Sequence, residues 1–278
     1  MRIRTILVIL VGSILFLGCV THFGVGTVEV TESSRRLVRE TVLDAGGGPS
    51  EVREFAYTFE GELVEERLLD AAGRVKEMSS FSYRDGRKIE RRSYAASGEL
   101  TGRRTYTYTP KGLPETERYF DGAGKPLFVS RFSYNYWGDT TEWTTLGADG
   151  RLIACTRYTY EKGRVLTMTL SGAQGAGTTV QMSYDTEGRK IRAAYTGATG
   201  KAEKEITFRY DEQGRLAGEE TFSAFGNLLG KTVYAYTHDG RQPEKIYRYD
   251  GKGNPRETII QEFAVKEKTK AVSETASL

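Results

Sequence analysis

The sequence predicts an all-β fold: a repetitive antiparallel β-hairpin meander forming a curved or coiled single sheet of roughly sixteen strands. Three observations predict it. An aromatic-x-tyrosine phrase recurs at a nearly fixed period, each period holds two glycine turns, and the composition is rich in Gly (32) and Tyr (17) without Ala/Leu-rich helical periodicity.

The phrase is read most clearly at Phe81-Ser82-Tyr83-Arg84-Asp85-Gly86. Aligned on its tyrosine, the chain repeats at Tyr57, Tyr83, Tyr108, Tyr134, Tyr160, Tyr184, Tyr210 and Tyr236, with spacings of 26, 25, 26, 26, 24, 26 and 26 residues. Two positions earlier stand Phe55, Phe81, Tyr106, Phe132, Tyr158, Met182, Phe208 and Tyr234. A glycine follows each tyrosine closely (Gly86, Gly112, Gly138 and their counterparts), and a second comes about twelve residues later.

Two turns per period make each unit a β-hairpin, and hairpins in series make a meander. Asp85-Gly86, Asp149-Gly150, Asp239-Gly240 and Asp250-Gly251 read as two-residue hairpin turns, because Asp and Gly accept the positive φ such turns need. Side chains alternate along a strand, so aromatic-x-Tyr sets two rings on one face. The polar arms Glu65-Glu66-Arg67, Arg91-Arg92, Glu115-Thr116-Glu117-Arg118 and Glu244-Lys245 are expected on a solvated opposite face. The ring-bearing face must then be covered: by curling, by Arg and Lys stems, or by a partner. Strand twist favours curling over a flat plank. An outer-membrane barrel is the competing closed form, and it is set aside because charges interrupt both faces.

The chain opens with a basic head (Arg2, Arg4), an apolar run from Ile6 to Leu17, and Gly18-Cys19. That run is short for a bilayer span and fits a signal-peptide core. The expected organisation is a signal peptide over 1–18, a lipidated N-terminus and linker over 19–31, a hairpin-repeat domain over 32–265 and a disordered polar tail over 266–278. Phe16-Leu17-Gly18-Cys19 resembles the lipobox of bacterial lipoproteins in the relaxed form used by spirochaetes. The resemblance implies lipid attachment, palmitate included, at Cys19. An ordinary signal peptide cut elsewhere and an uncleaved anchor are the alternatives. Two acyl signals hold a soluble domain stably at a membrane. Cys155 then has no disulfide partner and reads as a small packed side chain.

Tyr184-Asp185-Thr186-Glu187-Gly188-Arg189 and Tyr210-Asp211-Glu212-Gln213-Gly214-Arg215-Leu216 resemble the tyrosine–aspartate (YD) repeat of bacterial Rhs-type proteins, and Gly98-Glu99-Leu100-Thr101-Gly102 resembles the hairpin repeats of the variant MORN class. The Rhs resemblance implies a spiralling β-sheet shell, in some members one that binds carbohydrate or encloses a toxin. Here the units are longer and many lack the Asp, and no toxin domain is expected to follow.

The 40 Lys and Arg against 37 Asp and Glu leave a formal charge of +3, which argues against a nucleic-acid partner. With only His22 and His238, the latter in a turn, no histidine-rich metal site and no serine triad are expected. Gly172-Ala173-Gln174-Gly175-Ala176-Gly177 lacks the Lys-Ser/Thr of a phosphate loop and reads as a hairpin tip. Glu219 and Glu220 are adjacent and therefore point to opposite faces. No cofactor is expected. The densest aromatic cluster, Tyr134, Tyr136, Trp137 and Trp143, is the candidate binding surface for a sugar or a protein partner, with packing inside the sheet as the plain alternative.

The functional expectation is a non-enzymatic, membrane-anchored lipoprotein of the bacterial cell envelope, on the outer membrane or the periplasmic face of the inner membrane. Its β-repeat domain serves binding or scaffolding. Val20 rather than Asp after Cys19 favours the outer membrane. Two alternatives are a hydrolase acting on envelope glycans, which needs clustered carboxylates, and a purely structural component of a surface complex.

Overall fold

The computed structural model describes residues 27–173, 175–237, 240 and 242–273. The expected signal peptide, Cys19, His22, His238 and the Asp239-Gly240 turn's Asp239 lie outside the described residues.

The described chain consists of β1 (Thr27–Leu43), β2 (Pro49–Tyr57), β3 (Leu63–Asp70), β4 (Val75–Arg84), β5 (Arg87–Ala95), β6 (Leu100–Tyr108), β7 (Pro114–Asp121), β8 (Pro126–Tyr134), β9 (Thr140–Gly147), β10 (Leu152–Glu161), β11 (Arg164–Gly172), β12 (Gly175–Tyr184), β13 (Lys190–Thr196), β14 (Ala202–Tyr210), β15 (Leu216–Ser223), β16 (Leu228–Ala235), β17 (Lys245–Asp250) and β18 (Pro255–Ser273). Each strand pairs antiparallel with the next, and β1 also pairs with β18, so the sheet closes. The open or coiled sheet of roughly sixteen strands expected from the repeat is in fact an 18-stranded barrel. The eight repeat units supply β2 to β17. The two further strands carry no aromatic-x-tyrosine phrase, and pairing them removes both free sheet edges. β1 begins at Thr27, inside the expected linker, and β18 runs to Ser273, into the expected polar tail.

The chain divides into two compact units. Arg39 to Gln261 forms the barrel unit, in which Gln261 Nε2 donates to Glu40 Oε2 at 2.9 Å. The described residues before Arg39 and after Gln261 belong to the other, and within it the Arg35 guanidinium lies 4.5 Å from the centre of the Phe263 ring.

Two turn chemistries recur along the chain. At Asp85-Gly86 both residues have positive φ (52° and 69°), the two-residue turn expected there, and Lys162-Gly163 repeats it at 50° and 74°. Most of the other turns are one residue longer. In Asp70–Arg74, for example, Gly73 N–H donates to the Asp70 carbonyl and Asp70 N–H to the Arg74 carbonyl, with Gly73 at φ 76°. Asp149-Gly150 and Asp250-Gly251 belong to this longer type, and in the second it is Gly253, not Gly251, that takes positive φ.

The registers put the repeat rings on one face of the sheet. Phe55 pairs with Glu66, Phe81 with Arg91, Tyr106 with Glu117, Phe132 with Trp143 and Phe208 with Glu219. Burial raises the phenols of Tyr83, Tyr106, Tyr108, Tyr160, Tyr184 and Tyr210 on this face and lowers the Lys88 ammonium. On the opposite face, Glu142 and Glu205 are held low chiefly by hydrogen bonds from Thr144 and Arg192. The ring-bearing face is therefore the desolvated, inner one. A closed sheet of this many strands leaves a lumen rather than a packed core. Accordingly, few described side chains are fully buried: Val180 and Ser130 are, while most wall residues are half-buried.

The charged arms do not all lie on a solvated outer face. Adjacent residues alternate, so Glu66, Arg91 and Glu117 point inward with the rings, while Glu65, Arg92 and Arg118 point outward. Glu219 and Glu220 separate in the same way, as expected: Glu219 pairs with Phe208, and Glu220 bonds Arg209 at 2.8 Å on the other face.

Candidate functional site

The tyrosine of the repeat has a role that a phenylalanine could not fill. Just after the close turn of each of the first seven units the register slips by one residue, opening a β-bulge opposite the repeat tyrosine; Tyr108 pairs with Pro114 across such a slip, and Tyr184 with Lys190. A bulge leaves a carbonyl without a ladder partner. The next unit's tyrosine supplies it. Tyr108 Oη donates to the Lys88 carbonyl (2.7 Å), Tyr134 to Pro114 (2.6 Å), Tyr160 to Thr140 (2.7 Å), Tyr184 to Val165, Tyr210 to Lys190 and Tyr236 to Leu216 (each 2.8 Å).

The Asp and Arg of the fullest units complete this device. Asp185 Oδ1 accepts the Arg189 N–H and its Oδ2 accepts Arg189 Nε, both at 2.7 Å, so the side chain closes its own turn. Burial pushes the Asp185 carboxyl up, but the Arg189 bonds outweigh it and hold the group below its ordinary value. The Arg189 guanidinium lies 5.0 Å from the Tyr210 ring, and Arg215 lies 4.5 Å from that of Tyr236. Each turn thus grips its own hairpin through Asp and the next hairpin through Arg and Tyr. The sequence signalled this by placing Tyr, never Phe, at all eight repeat positions.

At mid-height the inner wall has two chemistries. From β15 through the β1–β18 seam to β7 it carries charges: Glu219, an Arg248–Glu257 ion pair, Glu40, Arg53, Glu66, Arg91, Arg104 and Glu117. Arg91 lies 3.5 Å from Glu66 and donates to Ser79 Oγ at 3.0 Å; Arg104 lies 3.6 Å from Glu117, which also accepts Tyr119 Oη at 2.7 Å. Burial, with Glu219 alongside, pushes the Tyr234 phenol up to about 12. From β8 to β14 the equivalent positions are Ser130, Trp143, Thr156, Met168, Val180, Ala193 and Ile206, small or apolar. Long cationic stems cover part of the rings, as with Lys190, 4.1 Å from the centre of Phe208.

The candidate aromatic surface is divided by the structure. Tyr134 and Trp143 lie on the inner wall: Tyr134 is the Pro114 clamp, and Trp143 stacks on Phe132 with centroids 5.8 Å apart and an 18° tilt. Tyr136 and Trp137 sit at the β8–β9 turn tip, 85% and 82% exposed, in an edge-to-face pair 6.1 Å apart. Asn135 holds this tip, its Oδ1 accepting the Asp139 N–H and its Nδ2 donating to Asp139 Oδ2, both at 2.9 Å. Lys111 from the neighbouring turn lies 5.5 Å from the Tyr136 ring. The tip is an amphipathic platform suited to stacking on a sugar ring or seating a partner's apolar side chain.

Cys155 is buried and free. A recess of about 760 Å³ at β7–β8 is lined by Tyr119 and Phe128 from the inner face and by Arg118 and Arg131 from the outer, so it is a stretch of open wall rather than an enclosed pocket. Among the described residues no cluster of three His, Cys, Asp or Glu could hold a metal ion, and no helix is long and apolar enough to cross a membrane.

No protein-family model and no curated protein matches this sequence. Among solved structures, the chain is similar to the Photorhabdus luminescens Tc holotoxin pore at 13% identity over 84% of this chain, with a TM-score of 0.37; the match spans 16% of the toxin chain. It is similar to a porin-like protein of Bacteroides uniformis at 12% identity over 82% of this chain and 98% of the other, with a TM-score of 0.45. A porin-like protein of Bacteroides vulgatus follows at 10% identity over 81% and 97%, with a TM-score of 0.37. The chain's own strands and registers make it an all-β repeat protein.

Proposed function

We propose that this chain is a bacterial envelope lipoprotein, anchored through lipid on Cys19, whose barrel of YD-type and variant MORN-like hairpins is a non-catalytic binding or scaffolding domain. One observation carries the reading: neither face of the barrel offers lipid an apolar belt. The outer face carries Arg67, Arg92, Arg103, Arg157, Arg192 and Arg209 within its strands, and the inner face carries Arg53, Arg91 and Arg104. An arginine facing lipid at the bilayer midplane costs about 2–4 kcal/mol, so such a ring does not hold itself in a membrane, and an apolar leader ending in Gly18-Cys19 is the means of attachment left. Binding or scaffolding is supported by the exposed Tyr136–Trp137 tip. The carboxyls with displaced titration, Asp70, Glu142, Asp185, Glu205, Asp211 and Asp250, are all lowered, the opposite of what a general acid for glycan hydrolysis needs.

Metabolic labelling with a fatty acid tests the anchor. The reading expects label on the wild type and none on Cys19→Ser, with the variant released into the soluble fraction. An unlabelled wild type, or a Cys19→Ser protein that stays in the membrane with full label, rejects it.

A further inference from the structure

We propose that the inner face of β4–β7 is a binding site for an oxyanion of the phosphate or sulfate class, held by Lys88, Arg91 and Arg104 with the Tyr106 hydroxyl. Arg91 and Arg104 are direct cross-strand partners on the inner face, a placement in which like charges repel. Lys88 joins them: its ammonium rests on the rings of Phe81 (5.7 Å) and Tyr106 (4.5 Å) rather than on a carboxylate.

The carboxylates nearby are too few. Glu66 is shared between Arg53 at 3.6 Å and Arg91 at 3.5 Å, and Glu117 between Arg104 at 3.6 Å and the Tyr119 hydroxyl. These separations are loose for charge-assisted hydrogen bonds, which close to about 2.7–2.9 Å, so the guanidinium forks keep donors to spare. Glu51 is taken by Arg53 at 3.1 Å. Three cations thus face two shared carboxylates.

A second observation is independent of charge. The Tyr106 hydroxyl is buried beside the Arg104 guanidinium, itself only a donor, and has no partner at full hydrogen-bond geometry to accept its proton, the one such side-chain atom among the described residues. A buried polar group without a partner is destabilising, and it points to a ligand that supplies the acceptor. Burial raises its phenol, against the opposing pull of Arg104 beside it, so it stays a donor at neutral pH. A tetrahedral oxyanion offers several acceptors and takes a bidentate arginine fork together with a hydroxyl and an ammonium.

The repeat itself sharpens the point. The position of Arg104, four residues before the repeat tyrosine, is Ser79 and Ser130 in the flanking units, and that of Arg91 is Ala193 further round. The architecture needs neither arginine. The site stands on the barrel wall alone and is independent of the lipid anchor.

Calorimetry and thermal unfolding of the full-length protein in detergent at neutral pH test it, with inorganic phosphate, sulfate and glucose 6-phosphate compared with chloride at equal ionic strength. The expected result is saturable binding of phosphate or sulfate with a rise in Tm that chloride does not give. Arg104→Ser and Arg91→Ala should each weaken binding about ten-fold or more, while Tm without the anion holds or rises. Glucose 6-phosphate binding more tightly than inorganic phosphate assigns the oxyanion to a larger ligand, and weaker binding assigns it to the free ion. No saturable binding beyond that of chloride, or an Arg104→Ser protein with wild-type affinity, overturns the proposal. If an arginine variant does not fold, Tyr106→Phe decides: lost affinity at unchanged anion-free Tm sustains the site, and wild-type affinity overturns it.

Discussion

The two tyrosines of the third repeat unit carry the same hydroxyl in different settings. At Tyr108 it caps the Lys88 carbonyl of the preceding hairpin at 2.7 Å, whereas at Tyr106, two residues earlier on the same face, it has no acceptor. The same substitution should therefore give opposite results. Tyr108→Phe strands a half-buried carbonyl and should cost about 1–3 kcal/mol, while Tyr106→Phe should be neutral or slightly stabilising in anion-free buffer. Urea unfolding of the two variants, read as a shift in midpoint, checks the pair. The sequence made ring burial legible at both positions. It could not reveal why the second is always Tyr, because the acceptor is a bulge carbonyl about twenty residues earlier that exists only once the register has slipped. The candidate aromatic surface was half legible for a similar reason: Tyr136 and Trp137 are exposed as a binding tip requires, but Trp143 is four residues past Asp139 on a strand whose parity turns it onto Phe132.

At the scale of the hairpin, the turn glycines are not equivalent although the sequence writes them alike. Gly214 has φ 73° with nothing near the place a Cβ would occupy, so Gly214→Ala carries only the left-handed backbone cost of about 1–2 kcal/mol. Gly188 has φ 82°, and its open side is crossed by the Arg164 guanidinium, which lies 5.7 Å from the Tyr184 ring. Gly188→Ala should cost the same backbone strain plus about 0.5–1 kcal/mol of displaced cation–ring contact. Chemical unfolding should thus rank Gly188→Ala below Gly214→Ala in stability, and equal losses would remove the arginine from the account. Hairpins and their period were readable because glycine spacing and alternating rings are local signals. The longer turns at Asp149-Gly150 and Asp250-Gly251 were not, since Asp-Gly serves both the two-residue turn and the wider turn with a bulge.

For the molecule as a whole, the inner-wall tyrosines act together. Burial raises many of their phenols above the ordinary value near 10, Tyr234 to about 12. A phenol whose folded pKa is raised favours the fold below pH 10 and loses that contribution as pH climbs towards the folded value. The barrel should hold its stability to about pH 10 and then weaken steeply, with tyrosine ionisation at 295 nm delayed until it unfolds. Phenols titrating near 10 with the fold intact would mean the rings face solvent. Closure itself was hidden from the sequence because β1 and β18 lack the repeat phrase and meet across 221 residues, at Glu40 and Gln261. Charges on both faces, by contrast, were plain to read, and closure distributes them over the inner and outer walls alike.

Hydrogen exchange on native protein, resolved to single strands, tests the closed repeat barrel most directly. Amides of β1 from Arg39 to Leu43 and of β18 from Arg256 to Gln261 should be protected as strongly as those of β9 and β10, since a ring has no edge. Rapid exchange confined to those two segments, beside slow exchange in β9 and β10, would describe an open sheet and contradict the account.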